Sequence, residues 1–190
     1  MIVYFMRHAH AIRKDGITNE DEGLSPLGIS QALSTVPLIR SLNITSVVSS
    51  PYRRAIETAS IICDALPELE FSVDSRFAEL SLGTLEGKKL SDVKKELNIN
   101  ISKRELLFKE ASSITSNYGV ESYDNAVARV VDGIMPLPTN TLVITHGEVI
   151  RSLLSHTLKN NSPLRNNYQV AHCSIHVYNK QSLSFHPLNN

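Results

Sequence analysis

The chain opens on an apolar run, Ile2-Val3-Tyr4-Phe5-Met6, that passes without a spacer into Arg7-His8-Ala9-His10. Five consecutive apolar residues, several β-branched or aromatic, do not alternate with polar ones. That is the pattern of a strand buried on both faces, as in a parallel sheet covered by helices. In such a sheet ligands bind in the crevice beyond the carboxyl ends of the strands. A guanidinium and an imidazole thus stand where an α/β protein keeps its chemistry. The remaining chain is read for partners that reach the same place.

The length, 190 residues, suits one domain with a small insertion and a sizeable core. Lys+Arg and Asp+Glu are equal at 19 each, so no overall field attracts nucleic acid or an anionic membrane, and any anion site must be local. No apolar run reaches membrane-spanning length and no leader pattern precedes the first strand. Cys63 and Cys173 stand far apart in no metal-ligand spacing and read as buried thiols. A cytoplasmic location is the expectation that fits.

Residues 11–23 read as a polar loop with an acidic cluster, Glu20-Asp21-Glu22. Ser25-Pro26 supplies an N-cap and first-turn proline for a helix with Ile29, Ala32, Leu33 and Val36 on its inner face. Pro37 predicts a break or kink near Thr35. A strand over 45–49 leads to Ser50-Pro51, read as the cap of a second helix striped by Ala55, Ile56, Ala59, Ile62, Cys63 and Leu66. Residues 70–74 form a short strand. Short helices are expected over 91–97 and 103–111, the second within a variable insertion at about 98–122. A helix over 124–135, a strand over 141–145 and a helix from about Glu148 to Leu158 follow. Segments 174–178 and 183–185 close the chain as a hairpin. With no internal repeat, this order predicts a single domain over 1–190. Its fold is a three-layer α/β/α sandwich with a mostly parallel central sheet and an edge hairpin.

Three strand-to-helix junctions carry chemistry: Arg7-His8, Arg53-Arg54 and His146-Gly147. Taken singly, each has an ordinary reading. A histidine at a strand end usually bonds a backbone carbonyl, and paired arginines in a first helical turn usually face solvent. Together, two arginines, two histidines and helix N-termini make an anion pocket suited to a phosphoryl group. Arginine's planar fork bonds two phosphate oxygens at once, and Gly147 lets the backbone approach closely.

These junctions, with their neighbours, resemble the histidine phosphatase superfamily, also called the phosphoglycerate mutase-like family. Arg7-His8 followed by Leu24-Ser25-Pro26-Leu27-Gly28 is similar to the family's opening. Ser49-Ser50-Pro51-Tyr52-Arg53-Arg54-Ala55 resembles its second motif, in which the arginine before alanine binds phosphate; that selects Arg54. Glu79-Leu80-Ser81-Leu82-Gly83-Thr84-Leu85-Glu86-Gly87 resembles its acid motif, and Val143-Ile144-Thr145-His146-Gly147 the segment carrying its second histidine. The resemblance implies a phosphatase in which His8 is the nucleophile, Glu79 the proton donor and His146 a third catalytic group. Arg7, Arg54 and Gly147 would bind phosphate. It implies a small phosphorylated substrate and requires no metal or other cofactor. Oligomeric state is not legible.

The sequence departs from the family pattern where Ala9 replaces the usual glycine and His10 the usual acidic or Gln residue. The asparagine many members carry a little further on is also missing, the region reading Arg13-Lys14-Asp15. His10 is expected at the rim, and His172 near the pocket. Mutase-type phosphoryl transfer is the alternative within the family, but mutases that resemble it are generally longer around the site mouth. A phosphatase of protein phosphohistidine would tend to lack so clear an acid motif. A zinc site from His8, His10 and His146 faces two flanking arginines that repel a cation. A phosphorylated-ligand binding module without turnover has no need of a full catalytic set.

Overall fold

A computed structural model describes residues 1–12, 22–98, 116–157 and 168–188. The elements are β1 (Ile2–Arg7), α1 (Pro26–Ser41), β2 (Ser46–Ser49), α2 (Arg53–Ala65), β3 (Glu70–Val73), α3 (Leu90–Glu96), α4 (Tyr123–Ile134), β4 (Thr141–Thr145), α5 (Gly147–Thr157), β5 (Ile175–Asn179) and β6 (Ser184–Pro187). Short 3-10 turns, Ser75–Phe77 and Gly83–Leu85, carry the chain between β3 and α3. The helix expected over 103–111 and the segment Arg13-Lys14-Asp15 lie outside the described residues.

The six strands form one sheet in the order β3-β2-β4-β1-β5-β6. The first four are parallel, and β5 and β6 are the antiparallel edge hairpin. The chain leaves β1 for β2 across a gap that β4 later fills. That returning strand brings three carboxyl ends side by side: Arg7 pairs with Thr145, and Ser49 with Ile144. Beyond the ladder, His8 N–H donates to Thr145 O at 2.9 Å and Ser50 N–H to Ile144 O at 2.9 Å.

Each buried strand feeds both faces. Val3, Phe5, Val48 and Val143 pack with residues of α4 and α5, while Met6, Val47, Leu142 and Ile144 pack with residues of α1 and α2. Phe5 anchors the first face, edge-on to Phe77 at 6.1 Å and to Phe185 at 5.6 Å between centroids.

α1 differs from the expectation. It runs unbroken through Pro37, and its buried residues are Gly28, Ala32, Thr35 and Ile39, with Ile29 and Leu33 exposed. Pro37 lies on the solvent side with Leu33, so the carbonyl it leaves without a donor faces water, and the helix continues. The buried stripe is shifted because small residues are needed where α1 meets the extension of β1. A Cβ on Gly28 would stand 2.0 Å from the His10 carbonyl oxygen.

That contact makes a test of packing against propensity. Inside a helix, Ala is worth about 1 kcal/mol over Gly, yet the collision at Gly28 is with backbone that cannot swing aside. Gly28→Ala is expected to lose about 2 kcal/mol of stability in denaturant unfolding. A neutral or stabilising result would contradict the close packing.

Candidate active site

His8 is the first residue past β1 and is 6% exposed. Its Nδ1 lies 2.7 Å from the Ala9 carbonyl oxygen. A carbonyl only accepts, so Nδ1 carries the proton and Nε2 presents a bare lone pair. Arg54 Nε donates to that Nε2 at 3.2 Å. The peptide beyond is fixed too: Ala9 N–H donates to Thr58 Oγ1 at 3.1 Å, and that hydroxyl donates to Arg54 O at 2.7 Å. Ala9 is not among the described residues with positive φ, and its methyl packs on Leu24 and Ala32. Alanine is therefore accommodated where the family usually has glycine.

Arg54 is buried in the first turn of α2, with its guanidinium 4.7 Å from the Tyr52 ring centroid. Its Nη2 lies 3.1 Å from His146 Nδ1. A guanidinium only donates, so this nitrogen of His146 is bare and Nε2 carries the proton, which it donates to Ser50 Oγ at 2.6 Å. Arg53, by contrast, is exposed and pairs with Glu57 at 2.7 Å. Of these two arginines, Arg54 is the one that reaches the histidines.

Ser50 is not the helix cap the sequence suggested. α2 begins three residues later, with Tyr52 at the N-cap and no side-chain cap bond. The Ser50 hydroxyl serves His146 instead, and also accepts from Tyr52 N–H at 3.3 Å.

Burial is the largest cause holding both His8 and His146 well below the ordinary histidine value of 6.5, and Arg54 adds to it. Both rings are therefore neutral near pH 7, and they stand 5.1 Å apart between centroids. Arg7 donates through Nη1 to Val170 O. Gly147 opens α5, and a Cβ there would come 3.3 Å from Arg151 Nη1 and 3.5 Å from Arg7 Nε, so the glycine admits both guanidinium groups.

Glu79 lines a cavity of about 660 Å3 together with Tyr52, Ser81, Glu121, Asn125 and Arg129. Tyr52 joins this cavity to the histidines, its ring standing edge-on to His146 at 5.2 Å. The loop bearing Glu79 is clamped by Arg129. That side chain donates to both Glu121 oxygens at 2.6 and 2.8 Å, to Arg76 O at 2.6 Å and to Glu79 O at 3.4 Å. Glu121 in turn accepts from Ser81 N–H at 3.2 Å. Behind α5, Glu148 accepts from Tyr123 OH at 2.6 Å and pairs with Arg151.

Sequence reading missed Ser50, Thr58, Tyr52 and Arg129 as parts of the site. Only Arg129 leaves a local signal, a lone arginine beside Val127, Val130 and Val131 on a helix with an apolar face. His176, in the edge hairpin, is fully buried, stacked on Phe185 and held down to about 4 by burial. Among the described residues no group of three His, Cys, Asp or Glu side chains is placed to hold a metal ion. No helix among them is long and apolar enough to cross a membrane.

The profile of the histidine phosphatase superfamily, branch 1, matches residues 3–187. A protein of Erwinia tasmaniensis named "Probable phosphoglycerate mutase GpmB" is 29% identical over 182 residues, 91% of this chain and 82% of that one. Among solved structures, the phosphoglycerate mutase of Bacillus anthracis is similar with a TM-score of 0.76 at 21% identity, over 100% of this chain and 92% of that one. A mycobacterial glucosyl-3-phosphoglycerate phosphatase is similar with a TM-score of 0.74 at 20% identity, over 98% and 96%. At such identities the structural likeness speaks for the fold.

Two pH effects follow from the neutral, buried rings. Titration of the His8 ring, followed by NMR on the free protein, is expected well below pH 6.5; titration at 6.5 would mean that His8 behaves as an exposed histidine. Stability has the same sign. His8, His146 and His176 take up protons more readily when unfolded, so stability is full above pH 6.5 and falls as pH drops below it. Thermal melts from pH 7 downward should show a falling Tm.

Proposed function

The chain belongs to the histidine phosphatase superfamily, branch 1, and from that membership and the geometry we propose that it hydrolyses the phosphomonoester of a small phosphorylated metabolite. The reaction runs through a phosphohistidine and requires no metal. The observation that carries this reading is the bare Nε2 of His8, fixed by the Nδ1–H bond to Ala9 O and met by Arg54.

His8 Nε2 attacks phosphorus, and the bond from phosphorus to the ester oxygen breaks. Glu79, protonated, gives its proton to the leaving oxygen. As a carboxylate it then takes a proton from water, whose oxygen attacks the phosphohistidine. The N–P bond breaks, and inorganic phosphate leaves with His8 neutral again. Charge gathers on the equatorial oxygens of a loose transition state, so positioned cations do most of the work. Arg7 and Arg54 are those cations. His146, its Nε2–H held by Ser50 and its bare Nδ1 accepting from Arg54, orients that guanidinium from the neighbouring strand end. Gly147 leaves room for the phosphoryl group beside the start of α5.

A second reading is mutase-type transfer, favoured by the name the Erwinia tasmaniensis relative carries. A mutase must keep water from its phosphoenzyme until a second acceptor arrives. The cavity beside Glu79 is lined instead by carboxylates, a serine and an asparagine that hold water well, which supports hydrolysis.

The test is a panel of phosphorylated metabolites assayed with chelator present, for wild type and Glu79→Gln. Inorganic phosphate should be released from wild type. The Glu79→Gln variant should slow alkyl phosphates by about 10²-fold or more and nitrophenyl phosphate far less, because a good leaving group needs no proton. Equal slowing of both classes would remove Glu79 from the acid role. Transfer to an acceptor without phosphate release would favour the mutase. Tight phosphate binding with no turnover of any ester would make the protein a binding module.

A further inference from the structure

Arg151 stands at the edge of the site and has no part in the chemistry above. It lies one turn into α5. A Cβ on Gly147 would meet Arg151 Nη1 at 3.3 Å and Arg7 Nε at 3.5 Å. Two guanidinium groups from different elements thus approach one glycine, and one of them belongs to the proposed phosphoryl site. Like charges repel, so such an approach persists only where each group is held by partners of its own.

Both are held by one strap of backbone, residues 168–174, which leads into β5. Arg151 Nε donates to Tyr168 O at 3.0 Å. Two residues on, Val170 O accepts from Arg7 Nη1 at 2.5 Å. The Val170 side chain is buried in the core, which fixes its place but not the direction of the peptides on either side. Bonds at the two ends of the strap set that direction. Downstream, Cys173 N–H donates to Arg7 O at 3.0 Å and Arg7 N–H to Ser174 O at 3.3 Å. Upstream, Tyr168 is held through its carbonyl by Arg151 and through its hydroxyl by His176 Nε2, 3.0 Å away.

Arg151 can fix the upstream end because it is itself fixed. It pairs with Glu148, and the two side chains are only 14% and 13% exposed. Glu148 also accepts from Tyr123 OH at 2.6 Å, which ties the pair to the start of α4. Desolvation offsets much of the attraction in a pair so far from water, so its contribution is direction more than stability. The carboxylate also offsets the positive charge that Arg151 brings towards Arg7.

We propose that Arg151 is a positioning residue. Through the carbonyls of the strap it sets the direction of the Arg7 guanidinium, and so the affinity of the site for a tetrahedral anion. This rests on the phosphoryl-site reading above. A guanidinium donates well to an anion only when its N–H groups are aimed, and the aim comes from the residues that support it. Arg151 has no need to touch the anion.

The test is a double-mutant cycle on the full chain, with binding of inorganic sulfate followed by NMR titration at constant pH. Arg151→Lys keeps the positive charge and can still pair with Glu148. A single ammonium lacks the planar fork that serves Glu148 and Tyr168 O from two nitrogens. A direct Coulombic role would survive this substitution, whereas a directional role would not. Arg151→Gln is the second variant; losing the charge weakens binding with or without Arg7, and the directional part is the excess seen when Arg7 is present. Matching thermal melts check that each variant folds.

Arg151→Lys is expected to lower sulfate affinity about fivefold in the wild-type background, as for one misdirected charge-assisted hydrogen bond. In the Arg7→Ala background it should change nothing. Arg151→Gln should show the same excess of about fivefold with Arg7 present. In the sulfate-free protein, Arg151→Lys should also move the Arg7 Nε–H resonance, identified by its loss in Arg7→Ala. Unchanged affinity, an equal loss in both backgrounds, or an unmoved Arg7 resonance overturns the proposal. Sulfate needs no turnover, so a null cycle in a protein that hydrolyses esters through His8 removes this inference alone. A positive cycle in a protein without turnover removes the hydrolase reading alone. No sulfate binding by wild type overturns both.

Discussion

Arg54 donates to two imidazoles and accepts from neither, and much of the site's order follows from that asymmetry. One N–H reaches His8 Nε2 and another reaches His146 Nδ1. Each facing nitrogen must therefore be bare, and the protons go to the far nitrogens, where Ala9 O and Ser50 Oγ accept them. A buried cation between two rings also opposes a charge on either, in the same direction as burial. In the proposed reaction His8 is thereby kept neutral, with its Nε2 aimed at the place where a phosphoryl group would replace the arginine's present partners. Sheet order makes this possible. With β4 inserted between β1 and β2, His8, His146 and the segment leading to Arg54 arise at adjacent strand ends, with no long loop needed to join them.

The strand-end cluster and the cavity beside it differ in charge. Guanidinium and imidazole groups gather at the strand ends, whereas Glu79, Glu86 and Glu121 line the cavity. Tyr52 stands between, its ring under the Arg54 guanidinium and against His146, and its other side on the cavity. Arg129 keeps the acid loop in place by bonding backbone carbonyls and Glu121 rather than facing the site as a free cation. Gly83 makes the same loop fit, since its φ of 56° and the 1.9 Å from a notional Cβ to Tyr118 O both require glycine.

What was legible in the sequence was what short-range pattern controls. The unalternating run at Ile2, the cap at Ser25 and the apolar stripe of α2 gave the layers and most element ends. Arg7, His8, Arg54 and His146 stood out because each abuts a strand end, and the motif resemblance chose Arg54 over Arg53. Glu79 came from resemblance alone, as no periodicity marks a carboxylate in an irregular stretch. Ser50 was misread because a serine before a proline looks like a cap wherever it stands; only the fold shows His146 within reach of its hydroxyl. Pro37 misled for a related reason. Whether a proline breaks a helix depends on what its unpaired carbonyl faces, and here it faces water. His172 was expected near the pocket and His10 at its rim, but their ring-to-ring contact was not legible because it joins residues some 160 positions apart, brought together by the turn that Cys173 closes.

The central claim is that His8 Nε2 carries the phosphoryl group. Rapid-quench labelling with a phosphomonoester substrate, followed by peptide mapping, tests it most directly. The account predicts an acid-labile, alkali-stable phosphoramidate on the peptide containing His8, formed and lost at rates compatible with turnover and absent from His8→Ala. Turnover without that adduct, or the phosphoryl group found on His146, His10 or His172 instead, would contradict it.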